Sequence, residues 1–256
     1  MADKNVEVRC LEKILAAPHP KGNSAELVYN LLSDAIIMSD MTQEAPDFVL
    51  GKQDVIIGLE HFLVDVLITN SGSNARMVNK RRQQVLHGKK PSHKDLRRIN
   101  ALPEVQQKLK NGILLFNEQQ FLRELQRVSQ KHGMSVKGYR ADIRKYGGKE
   151  HLIGAMIEMP CQTNGSFVLH YSNGSSKTRI LNCVPLTQNM VSIMQRTLKD
   201  FDFVIILAET LLNELPRDAK VYCIWKNDFA GAIKEQRIPV CTSFTVRLEE
   251  ETYEQA

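Results

Sequence analysis

The sequence predicts an α/β fold carrying a large basic, mainly helical insertion. Three observations carry that expectation. Apolar, β-branched runs alternate along the chain with segments of helical spacing. A run near residue 50 is broken by the turn GKQD into a hairpin. Positive charge is concentrated in one block: residues 71–150 hold 19 Lys/Arg and 6 Asp/Glu, whereas the rest of the chain holds 15 and 23.

The chain is 256 residues long, enough to bury a substantial core, and its 43% apolar and 25% charged residues exclude a wholly disordered, collagen-like or coiled-coil protein. No window approaches ~18 consecutive apolar residues, and the start MADKNVEVRC has no apolar run behind its charges. A membrane span and a secretory signal are therefore not expected, and the expected location is the cytosol. The five cysteines, Cys10, Cys161, Cys183, Cys223 and Cys241, are odd in number and contain no C-x-x-C pair. That argues against a disulfide framework and a structural zinc site. Cys161 and Cys183 have no histidine at a recognisable spacing, which argues against a thiol nucleophile.

Taken in order, the first helix is expected after Gly22 and Asn23, with Ser24 capping AELVYNLLSDAII and Leu27, Leu31, Leu32 and Ala35 forming the inner face. It should end near Met38. The stretch DFVL, the turn GKQD and the run VIIGLEHFLVDVLI read as a hairpin feeding a central strand. Within the basic block, Phe121, Leu122, Leu125 and Val128 lie at helical spacing, with Gly133 placed to stop that helix. Strands are expected in HLIGAMIEM and SFVLHYS, then a helix in VPLTQNMVSIMQRTLKDF and a fully apolar strand in FVIILAE. A turn at Leu215, Pro216, Arg217 and Asp218 precedes a strand in VYCIWKN, and IPVCTSFTVRLEEE adds an edge strand. Trp225 and Phe229 read as packing residues.

The basic block points to a polyanion, because neutralising phosphates releases condensed counterions. Its candidate phosphate contacts are Lys80, Arg81, Arg82, Lys89, Lys90, Arg97 and Arg98, followed by Arg140, Arg144 and Lys145. Tyr139 and Tyr146, interleaved with the later cations, suit base stacking or ordinary helix packing. The plainer alternative is a solvated basic helical segment, or one that binds an acidic protein.

Three acids stand at suggestive places: Glu26 early in the helix, Asp47 at the head of the hairpin, and Glu60 inside the apolar strand. A carboxylate buried in a strand is costly without a partner. Paired carboxylates on adjacent strands supply the hard oxygen ligands that Mg²⁺ requires in metal-assisted phosphodiester cleavage.

The strings SAELVYNLL, APDFVLGKQDVIIGLE and TQNMVSIMQRTLKDFDFVIILAE resemble the PD-(D/E)xK, or restriction-endonuclease-like, nuclease superfamily. The resemblance covers roughly residues 20–70 and 180–230. It implies a mixed central sheet flanked by helices, with residues 1–70 as the first half of a nuclease-like core, 71–150 as the basic helical insertion and 151–256 as the second half. It implies metal-dependent cleavage of nucleic acid, DNA or RNA, with Mg²⁺ or Mn²⁺ held by Asp47 and Glu60. Glu26 would be an accessory ligand or a water-mediated contact, and Gln188 on the second core helix would touch phosphate or water. Nucleases that cut with two-fold symmetry often dimerise, so a homodimer belongs to the same expectation.

One departure is serious. The family places a lysine two positions after the acid, and this chain has Phe62 there. His61 points to the other face of a regular strand. Three readings stand open: a β-bulge turns His61 inward as the hydrolytic residue, a lysine reaches in from elsewhere, or the site is inactive and the fold only binds nucleic acid or an acidic partner. His61 also reads as a hydrogen-bonded, partly buried histidine that Asp65 pairs with. Glu26 reads equally as a helix-start acid. Glu158 reads as a charge at a strand end before Pro160.

Overall fold

The computed structural model describes residues 4–39, 46–64, 118–161, 166–180, 185–210, 220–226 and 228–247. The chain enters through α1 (Lys4–Ala16) and α2 (Asn23–Leu32), and then runs through β1 (Ile36–Ile37), β2 (Phe48–Lys52) and β3 (Val55–Leu63) as an antiparallel meander. The long helix α3 (Glu118–Ile143) ends in a 3₁₀ turn at Arg144–Tyr146 and returns the chain to β4 (Glu150–Cys161), parallel to β3. Next come β5 (Ser166–His170), β6 (Ser176–Ile180), β7 (Leu186–Thr187) and α4 (Gln188–Thr197). The chain continues through β8 (Phe203–Thr210), β9 (Lys220–Trp225), α5 (Phe229–Glu235), β10 (Val240–Cys241) and β11 (Ser243–Arg247).

The central sheet is mixed, in the order β1-β2-β3-β4-β8-β9; β3, β4 and β8 are parallel, and β9 closes the far edge antiparallel to β8. Beside it lie the antiparallel sheet β11-β5-β6 and the short parallel pair of β10 and β7. The protein is thus mixed α/β, as the alternation of strands and helices predicts. Among the described residues, no helix is long and apolar enough to cross a membrane.

Successive residues on β3 and β4 divide between two cores. Ile56, Phe62, Ile153, Ala155 and Ile157 pack with α3 and α4. Ile57, Leu59, Leu152 and Met156 pack with Cys10, Leu11 and Ile14 of α1 and with Ala25, Val28, Tyr29 and Leu32 of α2. A strand covered on both faces must be apolar on both, which is why these segments read as continuous Val/Ile/Leu runs.

Several expectations need correction. Ser24 is buried inside α2 and caps nothing; Gly22, with φ 126°, is the N-cap and makes no side-chain cap. The buried stripe is Ala25, Val28, Tyr29 and Leu32, and Leu27 is 46% exposed. The stripe is set by α1, which the sequence reading missed: Tyr29 donates its hydroxyl hydrogen to the carbonyl of Ile14 at 3.0 Å. Helix α2 stops at Leu32 because Ser33 is extended and Asp34 takes φ 60°, so Ile36 and Ile37 form an edge strand instead of a last helical turn.

Gly133 does not stop α3. A Cβ there would lie 2.0 Å from the carbonyl oxygen of Thr197, so the glycine is the point where α3 and α4 approach most closely. Nearby, the Thr197 hydroxyl donates to Ser129 Oγ at 2.8 Å. The helix has core residues along its length, from Phe121 and Leu125 to Val136, Tyr139 and Ile143. The helix in this half of the basic block, which lies between β3 and β4 in chain order, therefore packs into the core. The remainder of that block, 71–117, lies outside the described residues, as does the turn at Leu215.

Replacing Gly133 with Ala should push the two helices apart, because the obstacle is backbone and has no rotamer to yield. We expect a loss of ~1–3 kcal/mol in urea unfolding and a fall in Tm of several degrees. A melting temperature unchanged within a degree would contradict this close crossing.

Candidate functional site

The hairpin register places the first two acids. Phe48 faces Leu59 across the β2–β3 ladder, so the residue before Phe48 stands beside Glu60. Asp47 Oδ2 accepts the backbone N–H of His61 at 2.7 Å, which fixes its carboxylate at the mouth of the hairpin. Both side chains are buried, Glu60 to 5% exposure. Burial first, and then the charge of Glu60, push the Asp47 carboxyl up to about 7; the His61 N–H works the other way, and Glu7 adds to the rise.

Helix α3 completes this side. Glu60 Oε1 accepts the Tyr139 hydroxyl at 2.9 Å and lies 2.7 Å from His132 Nδ1. Phe62, on the same strand face as Glu60, stacks on the His132 ring with centroids 4.9 Å apart and planes 8° from parallel. An imidazole supported by Phe62 thus stands beside the acid. Burial, and then the charge of Glu60, raise the pKa of Tyr139 and keep it a neutral donor. Glu60 Oε2 is buried and has no hydrogen-bond partner among the described residues. Leaving such an atom bare is expensive, and a site that takes up a ligand explains it.

A second polar cluster lies on the opposite face of β3. His61 Nε2 is 3.0 Å from Glu158 Oε2, and Cys10 of α1 joins them; one ligand atom from each of the three residues lies within 4.8 Å of the others. Cys10 and Glu158 are each 1% exposed, and the His61 side chain is 7% exposed. Burial works against a charged imidazole. The negative charge and hydrogen bond of Cys10, with the hydrogen bond and charge of Glu158, outweigh it and hold His61 well above its ordinary pKa. Glu7, one turn before Cys10 on α1, is also buried.

Of the residues singled out in the sequence, Asp47 and Glu60 are brought together. Glu26 is not: it is exposed on α2. The helix acid whose charge reaches Asp47 is Glu7. His61 contributes its backbone to Asp47, but its ring faces Cys10 and Glu158. The unbroken register of β3 with β2 and β4 leaves no bulge to turn it. Glu158 is not a strand-end charge on the surface; it is buried and bonded to His61. Gln188 is exposed at the start of α4, while the helix that reaches Glu60 is α3.

Among the basic residues, Arg140 is structurally engaged. Its guanidinium pairs with Asp202 at 2.7 Å and donates to the carbonyls of His151 at 3.0 Å and Asp200 at 3.3 Å. Arg140, Asp200 and Asp202 line a cavity of about 540 Å³. Tyr139 is buried against Glu60 and offers no stacking platform. Arg144 and Lys145 are exposed on the 3₁₀ turn, with Lys145 Nζ 5.3 Å from the Tyr146 ring centre. Lys80, Arg81, Arg82, Lys89, Lys90, Arg97, Arg98 and Asp65 lie outside the described residues.

The sequence reading missed Glu7, Cys10, His132 and the role of Tyr139. Two spacings carried the signal. Glu7 and Cys10 are three apart, and His132 and Tyr139 seven apart, so each pair shares one helix face. Comparison with protein-family models, curated proteins and solved structures finds no match to this chain.

The raised Asp47 pKa predicts how stability varies with pH. Its folded value of about 7 lies above the ordinary 3.8, so this group favours the fold fully below about pH 4 and ceases to do so as pH rises through 7. In metal-free buffer, Tm should fall across that window. Asp47→Asn keeps an acceptor for the His61 N–H and should flatten the slope and raise Tm at pH 7.5 by roughly 5 °C, the equivalent of ~2 kcal/mol. A mutant with the wild-type slope would remove Asp47 as its source.

Proposed function

We propose that this protein is a metal-dependent nucleic-acid phosphodiester hydrolase with a restriction-endonuclease-like core, its centre formed by Asp47 and Glu60. The observation that carries the reading is the bare, buried Oε2 of Glu60 beside an Asp47 whose pKa Glu60 helps to raise. Two carboxylates held close at the cost of mutual repulsion are the donor set of a hard divalent cation, Mg²⁺ or Mn²⁺. Glu7 is near enough to add its charge. When bound, the cation would polarise the phosphate and lower the pKa of an attacking water.

The chain's own residues account for the rest. His132 Nδ1 lies 2.7 Å from Glu60 Oε1, and in the tautomer that donates from Nδ1 the other ring nitrogen, Nε2, is an acceptor. His132 is thereby suited to take a proton from water, the task that the family's lysine would share. Phe62 and Tyr139 hold it and its partner in place: the first stacks on the ring, the second bonds Oε1. The positive block at 71–150 supplies the attraction for a polyanion.

One observation favours a second reading, a nuclease fold that binds nucleic acid without cutting it: Phe62 occupies the lysine position. The assay that separates the two is cleavage of labelled duplex DNA, single-stranded DNA and structured RNA with Mg²⁺ or Mn²⁺. Hydrolysis should fall to background in Asp47→Asn and Glu60→Gln, and by about 10²-fold or more in His132→Ala with nucleic-acid affinity unchanged. Salt-sensitive binding with no cleavage of any substrate would leave the binding reading. Binding indifferent to salt would remove nucleic acid as the ligand.

A further inference from the structure

We propose that Cys10, His61 and Glu158 form a transition-metal site, selective for Zn²⁺ over Mg²⁺, that ties α1 to β3 and β4. It is distinct from the Asp47–Glu60 centre and does not rest on the nuclease reading. The three donors come from elements far apart in sequence, and the fold brings them to one point in the apolar layer between α1 and the sheet, with their ligand atoms within 4.8 Å of one another.

The geometry separates this site from a thiol-imidazole-carboxylate relay, the other chemistry open to these residue types. In a relay the thiol and the carboxylate bond opposite nitrogens of the ring, which sets sulfur and oxygen roughly 7 Å apart at ordinary hydrogen-bond lengths. Here the sulfur and the carboxylate oxygen are no farther than 4.8 Å from each other. Bond lengths of about 2.3 Å to sulfur and about 2.0 Å to nitrogen and oxygen put tetrahedral donors roughly 3.3–3.8 Å apart, so only small side-chain rotations are needed around a zinc ion. Cys10 and Glu158 are each 1% exposed. Burial this deep suits an ion better than a substrate.

The donor types set the metal. Thiolate with imidazole favours Zn²⁺ and its neighbours in the transition series, and magnesium binds all-oxygen sites. Three protein donors leave one position for solvent or a further ligand. The site also has a mechanical consequence. The backbone of His61 holds Asp47 while its ring belongs to this cluster, so a metal on one face of β3 would stiffen the hairpin that presents the acids on the other.

The test uses the full chain stripped of metal with a chelator and titrated with Co²⁺. One equivalent should produce the near-ultraviolet thiolate-to-cobalt charge-transfer band together with the visible bands of a tetrahedral ion. Zn²⁺ should abolish both at one equivalent, and millimolar Mg²⁺ should leave them unchanged. Cys10→Ser should lose the charge-transfer band, and Asp47→Asn should keep it, which separates this site from the neighbouring centre. Should Cys10→Ser not fold, Glu158→Gln serves as the second variant, with an expected weakening of Co²⁺ affinity of about 10-fold or more. Cobalt bound without a thiolate band, a band that survives in Cys10→Ser, or failure of the wild-type chain to bind cobalt would each overturn the proposal.

Discussion

Strand β3 is covered on both faces, and the two-residue alternation of its side chains is the constraint on which the rest of this structure depends. Paired with β2 on one side and β4 on the other without a bulge, it forces Glu60 and His61, neighbours in sequence, into different cores. Each polar side chain must then find partners on its own side. Glu60 takes them from α3, through His132 and Tyr139; His61 takes them from β4 and α1, through Glu158 and Cys10. The backbone joins the two sides, since the N–H of His61 holds Asp47, whose charge belongs with Glu60. One strand residue thus serves both clusters, with its main chain on one side and its ring on the other.

The sheet was legible because its strands are apolar on both faces and bounded by turn residues. The β2–β3 hairpin was found for that reason, whereas the pairing of Asp47 with Glu60 came from the family resemblance. Helix α1 was not found: its apolar positions Leu11 and Ile14 are separated by charges in KNVEVRCLEKILA, and nothing local shows that α2 and the sheet will bury them. The error in the face of α2 follows directly, because the partner that chooses Tyr29 over Leu27 was missing. Gly133 misled for a related reason. A glycine near the end of a periodic stretch reads as a stop, and only the position of α4 reveals that it is a contact.

The candidate site was legible to the extent that its chemistry is local. Two acids on adjacent strands can be read from spacing; a histidine that reaches Glu60 from 72 residues away cannot. The missing lysine was visible as Phe62, but what Phe62 does instead required the helix that packs on it. Stacking on His132 turns an apparent defect in the motif into a support for a different basic group. Likewise, Cys10 lacks a histidine neighbour in sequence and gains one only when α1 is laid across β3.

Charges around the parallel strands are handled in two ways. Where β4 and β8 begin, charges are answered: Arg140 pairs with Asp202, Lys149 with Asp54, and Asp202 also accepts the N–H of Ile153. Toward the carboxyl ends of β3 and β4, buried Glu7, Asp47, Glu60 and Glu158 gather around two histidines. Burying a carboxylate costs several kcal/mol unless it is fully partnered, and an apolar residue in its place is often no less stable. A fold under no demand but stability would have little reason to bury four acids on the two faces around one strand. Where acids are buried together, positive charge from outside the chain has most to offset.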